Sequence, residues 1–400
     1  MILRLIDPSS LSYYRKIKLL HVYHPEYYVG LKPDTDMFIR HHSGLWEGRF
    51  TTNSMGFRAS PEVNLERPHL ACLGDSLVMG FGVSDHQTFC SLLNGIEING
   101  ESYQAFNLGV DAFGSLGYLN RLREVSEQMK LDTVLLFVSA NDFNMVPELR
   151  AVGELSDDEK DEIRSKDPAY RTKFRLQFEA TRLSYLLMAL KLSYGHLQVK
   201  RIQFQNSIME ELKSSGLIKS DKKDAGLMHY LIHSFYRFPK ENQCVINQTR
   251  PPALQCPWEI PSGEKCYDMS APEMNLPELP EITANAYEEM IQLSRKKGFR
   301  LIPVMFPVHA SAMYCLMNDR QSPEYRFAFQ MRNFFEKRGI QVMDLSPYVK
   351  KICNVDFDFP HKGTRPPQMW DILIQGDGHL TRAGNEWAAK ALIYELKRER

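Results

Sequence analysis

The chain has 400 residues, of which 43% are hydrophobic, enough to bury one elaborated α/β core or two small ones and too apolar for a disordered chain. Lys+Arg and Asp+Glu each number 49, so the formal net charge is zero and nothing pulls the whole molecule towards nucleic acid or an anionic membrane. Charges at Arg4, Asp7, Arg15, Lys16 and Lys18 interrupt any signal-type apolar core, and no stretch approaches the roughly 20 apolar residues of a spanning helix, so the expected location is the cytoplasm, with no integral membrane segment.

Residues 1–67 show no sustained helical period and read as short strands and loops flanking a core. Within them, Arg58 reads as an exposed or ion-paired side chain in preference to a substrate contact. Leu70-Ala71-Cys72-Leu73 then reads as a short buried strand entering the turn Gly74-Asp75-Ser76, which sets a serine at the C-terminal edge of a sheet, where open α/β folds bind ligands. A second strand is expected over 103–109, a helix over 116–130, and a third strand over 133–138 that ends in Ser139-Ala140-Asn141-Asp142. This βαβ rhythm implies a parallel sheet with right-handed crossovers. Asp75 and Asp142 read as structural, bonding loop backbone near the serine.

Over 143–283 the rhythm stops for far longer than a loop, which points to an inserted, mostly helical cap-like subdomain. There Leu183, Leu186, Leu187, Leu190, Tyr194 and Leu197 follow the spacing of one buried helix face, and Asp157, Asp158, Glu159 and Lys160 suit the first turn of a solvated helix. Tyr230, Phe235, Tyr236 and Phe238 read as the subdomain's own core in preference to a pocket lining. Of the seven Cys, Cys72 and Cys90 fall in the core-like first block, whereas Cys244, Cys256 and Cys266 crowd one Pro-rich loop that would suit a disulfide in an oxidising compartment; reduced thiols are the preferred reading. The core resumes over 284–400, with helices at 282–297, 323–337 and 382–397 and strands at 301–306 and 340–344.

A serine hydroxyl attacks an acyl group at neutral pH only when a base and a group orienting that base stand beside it. Asp377-Gly378-His379, just before the last helix, supplies an imidazole that titrates near neutrality and a carboxylate to fix its tautomer. His309, just past a strand end, is a reserve candidate for the base. Asn141 suits either an oxyanion donor or a cap after the third strand. Rival motifs fail: Gly80-Phe81-Gly82 lacks the third glycine of a dinucleotide fingerprint, no Walker A pattern occurs, and no glycine follows Ser76 at the spacing of a nucleophile elbow. Asp356, Asp358 and His361 have no recognised metal-ligand spacing and read as a solvated loop.

In their order along the chain, Gly74-Asp75-Ser76, the block from Asn107-Leu108-Gly109, the block ending in Asn141-Asp142, and Asp377-Gly378-His379 resemble the SGNH (GDSL) hydrolase family, over residues 68–142 and about the last hundred. The resemblance implies a three-layer α/β/α fold with a central parallel sheet, here carrying the large helical insertion. It implies Ser76 as nucleophile, Asp377 and His379 as its base system, and an oxyanion hole from the N–H groups of Ser76 and Ala112 and the side chain of Asn141, with no cofactor or metal. The chain departs from the family at Ala112 and Ser139, where most members have Gly, and in the single residue between Asp377 and His379, where most have two. The expected function is a serine esterase acting on an O-acylated carbohydrate or lipid-like ester through an acyl-enzyme. Two alternatives stand beside it: acyl transfer to a sugar hydroxyl from the same site, and a binding protein whose site has decayed. The expected partner is a small-molecule or carbohydrate ester and not nucleic acid, and the oligomeric state is not written in the sequence.

Overall fold

The strands His69–Leu73, Gln104–Asn107 and Thr133–Phe137 are buried at every position and Arg300–Met305 at all but its first, the signature of a sheet covered on both faces. The protein is described by a computed structural model at residues 9–111, 113–138, 142, 156–194, 258, 260, 266–268, 278–322, 325–352 and 369–398. With Met343–Asp344 these strands form one five-stranded parallel sheet, in the order Met343–Asp344, Arg300–Met305, Thr133–Phe137, His69–Leu73, Gln104–Asn107. Helix Ser115–Gln128 packs against Glu281–Lys297, and Phe89–Leu92 against Arg382–Arg398, so helices flank the sheet as the α/β expectation requires. The chain leaves His69–Leu73 for Gln104–Asn107 on one side and returns to Thr133–Phe137 on the other. That reversal opens a crevice at the carboxyl ends of the strands, and Ser76 lies just beyond the carboxyl end of His69–Leu73.

Three sequence expectations are corrected. Ser184, extended at φ −116° and ψ 117°, breaks the helix that begins at Pro168, so Leu183 to Tyr194 do not share one continuous face. Phe178, Thr181 and Met188 turn inward, while Leu183, Leu186, Leu187, Leu190 and Tyr194 are exposed, Leu183 by 73%. Second, helix Asp157–Lys166 opens with a Ser156/Glu159 capping box as its polar start suggests, but Asp158 is buried and not solvated. Its carboxylate accepts from the N–H of Ser115, from Ser115 Oγ at 2.8 Å and from Thr283 Oγ1, and so caps Ser115–Gln128, whose own N-cap is Gly114. Third, Cys72 is bonded to Cys90, and Cys266 to Cys315 on helix Ala310–Met317, where reduced thiols or pairing within the Pro-rich loop were expected. Leu197, the aromatic residues at 230–238, Cys244, Cys256, Asp356, Asp358 and His361 lie outside the described residues. Among the described residues, no helix is long and apolar enough to cross a membrane.

The N-terminal segment also differs from a run of strands and loops. It opens with helix Ser9–Leu20, which packs on Pro168–Leu183, before two hairpins, His21–His24 with Tyr28–Leu31 and Asp36–Arg40 with Glu47–Thr51. Arg58 follows and is ion-paired, with Asp85, as one of its two expected readings had it, but it is not exposed. It is fully buried, stacks 3.7 Å from the Phe50 ring centre, lies 3.4 Å from Asp85, and donates to the carbonyls of Met79, Gly80 and Val83 at 2.5 to 2.7 Å. Burial lowers its pKa to about 10, against the pull of Asp85, so it stays charged at neutral pH. This one side chain ties down the loop that follows Ser76. Arg58→Met strips those carbonyls and Asp85 of their cation and is expected to cost about 3 to 5 kcal/mol in a denaturant titration with unchanged m value. A loss under about 1 kcal/mol, the range of an ordinary surface substitution, would refute that role.

Candidate active site

Ser76 begins the short helix Ser76–Met79, held at its start by Asp75, whose Oδ1 accepts the Leu77 N–H at 2.9 Å, and closed by Gly80 at φ 77°. Asp75 is therefore structural, as expected. The second sequence block locks this helix from behind. Asn107 donates to Val78 O at 2.8 Å and accepts the Gly109 N–H at 3.0 Å. At Gly109 the two backbones come so close that an added Cβ would sit 2.3 Å from Met79 N, which only glycine permits.

From the other end of the chain, His379 Nε2 lies 2.9 Å from Ser76 Oγ, and His379 Nδ1 is hydrogen-bonded to Asp377 Oδ1. The single-residue spacing closes because Gly378 takes φ 88°, in a turn where Ile374 N–H donates to His379 O at 2.8 Å and Gly378 N–H to Ile374 O at 2.9 Å. Asp377 Oδ1 also accepts the His379 N–H at 3.2 Å. Ser76, His379 and Asp377 are thus brought together in one hydrogen-bonded row. His309 is not in it: its Nδ1 pairs with Ser311 Oγ at 3.0 Å. Asp142 accepts from Tyr118 OH at 2.9 Å, and Ala112, Ser139 and Asn141 lie outside the described residues. Among the described residues, no group of three or more His, Cys, Asp or Glu converges as a metal site.

Two contacts to this region have no local signal in the sequence. Trp46 Nε1–H donates to Asp377 Oδ2 at 3.0 Å. His21, buried at the start of the first hairpin, pairs with Asp111 on the loop before Ala112 and shares a 2.5 Å hydrogen bond with Ile17 O. Only the general need of a buried indole N–H for an acceptor marks Trp46 in advance.

Burial works against charge here, and pairing outweighs it. For Asp377, burial raises the pKa, but the hydrogen bond and charge of His379, with the Trp46 N–H, hold it at about 2. For His379, burial lowers the pKa, but Asp377 by hydrogen bond and charge, with Asp75 and Asp111, leaves it above its ordinary value. Burial, with His42 beside it, pushes His41 down to about 4, so it is neutral when His379 titrates.

The fold and this row together define an α/β protein that presents a Ser-His-Asp arrangement at the carboxyl edge of its parallel sheet. No family model and no curated protein matches the chain. Among solved structures, the chain is similar to the lipase/acylhydrolase from Enterococcus faecalis, at 12% identity and a TM-score of 0.34, over 83% of this chain and 96% of that one. A second crystal structure is similar at 10% identity and a TM-score of 0.35, over 84% and 99% of the two chains.

Proposed function

We propose that the protein is a serine esterase of the SGNH (GDSL) type that cleaves a small acyl ester through an acyl-enzyme. The observation that carries this reading is the 2.9 Å approach of His379 Nε2 to Ser76 Oγ with Asp377 bonded to the other ring nitrogen. In that arrangement Ser76 Oγ attacks the ester carbonyl as His379 Nε2 takes its proton. The leaving alkoxide then takes the same proton from Nε2 as the C–O bond breaks, and water repeats the sequence to release the acid. Asp377 remains ionised throughout, holding the tautomer and stabilising the imidazolium.

The N–H groups of Ser76 and Ala112 and the Asn141 amide are assigned to the oxyanion, each such donor being worth about 2.7 to 4 kcal/mol in the transition state. The Ala112 methyl is assigned to narrowing the acyl pocket, which favours acetyl over longer chains on an O-acylated carbohydrate or lipid-like ester. A fluorophosphonate probe mapped by mass spectrometry, followed by a panel of acyl esters with and without a sugar acceptor, tests the proposal. Labelling at Ser76 with preference for acetyl supports it, absence of labelling overturns it, and acyl-sugar product would reassign the second step to transfer.

The pH profile offers a separate check. The base must be neutral to act, and its pKa is raised by Asp377, so kcat/KM is expected to climb with pH along a limb whose midpoint lies above about 6.5, the ordinary histidine value. A midpoint below that value would mean that Asp377 does not support the base.

A further inference from the structure

We infer that Trp46 is a positioning residue for the Ser-His-Asp row: its indole N–H fixes the second oxygen of Asp377 and thereby the orientation of His379. The inference rests on the esterase reading and extends it to a part of the chain with no counterpart in the sequence blocks that suggested that reading.

The case begins with the carboxylate. Asp377 Oδ1 is engaged by His379 twice, through Nδ1 and through the backbone N–H. A carboxylate held at one oxygen still turns about its Cβ–Cγ bond, and both engagements come from the residue it has to orient. Trp46 supplies a donor to Oδ2 from a different layer of the molecule, 331 residues away in sequence, which fixes the plane of the group. The indole is itself immobilised. It is buried, and its ring meets Phe81 at 5.3 Å, His41 at 5.6 Å, Tyr13 at 6.0 Å and Phe50 at 6.1 Å. Its carbonyl accepts the His41 N–H at 2.9 Å, closing the loop of the Asp36–Arg40 and Glu47–Thr51 hairpin. Phe81 in turn lies 5.5 Å from the His379 ring. One residue of the N-terminal hairpin thus touches the carboxylate directly and the base through a single ring. The segment 9–58 that the sequence presents as a flank forms part of the catalytic scaffold.

Removing the N–H while keeping an aromatic ring has two separable consequences. The carboxylate loses a donor and becomes more basic, so it stabilises the His379 imidazolium more and raises the histidine's pKa. The carboxylate also loses its fixed plane, so fewer molecules hold the imidazole against Ser76 and kcat falls. The charged or titratable groups around His379 and its carboxylate include Asp377, Asp75, Asp111, His41, His42 and Tyr13; the substitution replaces none of them, and Asp377 is the one that loses a hydrogen bond.

The test compares Trp46→Phe with replacement of Trp46 by benzothienylalanine, a bicyclic isostere that lacks the N–H. Both are expected to lower kcat about tenfold with KM nearly unchanged, the loss of one modest hydrogen bond that holds the row in its reactive geometry. Both are also expected to move the NMR titration of the His379 ring, read in a Ser76→Ala background, to higher pH. If the isostere matches the wild type in kcat and in the titration while Trp46→Phe is impaired, Trp46 acts by packing alone and the inference fails. The titration needs no turnover, so it reads the coupling of Trp46 to His379 even if fluorophosphonate labelling should overturn the esterase reading.

Discussion

Ser76→Ala is expected to lower kcat on an activated acyl ester by on the order of 10⁶-fold, the loss seen when a triad nucleophile is removed. Folding should be unaffected. Ser76 is half-buried, its Oγ bonds His379, and the contacts that shape the turn belong to its neighbours: the Asp75 cap on Leu77, Asn107 on Val78, and Arg58 on the carbonyls of Met79, Gly80 and Val83. The Ser76 N–H survives the substitution, so any oxyanion donors persist. What remains should be the roughly 10³- to 10⁴-fold advantage over water that such donors and binding supply without a nucleophile. Retention of a few per cent of wild-type kcat, with unchanged unfolding, would refute Ser76 as the nucleophile.

The sheet was legible in the sequence because parallel strands buried on both faces are apolar runs with turn residues at their ends, as in Leu70-Ala71-Cys72-Leu73 before Gly74. Strand and helix limits shifted by a few residues, for example from 116–130 to Ser115–Gln128. Helix Ser9–Leu20 was not legible: its aromatic and hydroxyl residues have weak helix preference, and its packing on Pro168–Leu183 is a tertiary effect. The exposed leucines fail for the opposite reason. Their spacing is helical, but it runs across the break at Ser184, and periodicity alone does not register a break that a serine permits.

In the site, Ser76, Asp377 and His379 could be read as a set because each sits in a short block with its own turn chemistry, and Gly378 makes the Asp-Gly-His turn tight enough to aim both side chains one way. Trp46 and His21 were missed, and Arg58 was read only as far as its ion pair, because what they do depends on partners distant in sequence: Asp377, Asp111 and the loop after Met79. A fully buried arginine is uncommon enough that the sequence prior favours an exposed or ion-paired one. Only the fold reveals that Arg58 meets three carbonyls together.

The base system gives the second large effect, and its two members should differ in kind. His379→Ala is expected to match Ser76→Ala, about 10⁶-fold in kcat, and combining the two should cost little more, because each alone already disables the unit. Asp377→Ala is expected to be milder, about 3 × 10⁴-fold, because Asp377 holds the tautomer and stabilises the imidazolium without taking the proton. It should also leave a trace that His379→Ala cannot. In the native protein, burial pulls the His379 pKa down, and Asp377, with Asp75 and Asp111, more than offsets it. With the carboxylate gone burial prevails, and the residual activity should follow a limb displaced to lower pH, the reverse of the displacement expected for Trp46→Phe. The two shifts have opposite signs because one substitution removes the carboxylate's charge and the other frees that charge from a competing donor. A residual limb for Asp377→Ala that stays in place or moves to higher pH would show that Asp377 is not what raises His379. A silent His379→Ala beside a severe His309→Ala would transfer the base to the other histidine, which in this structure bonds Ser311 instead of Ser76.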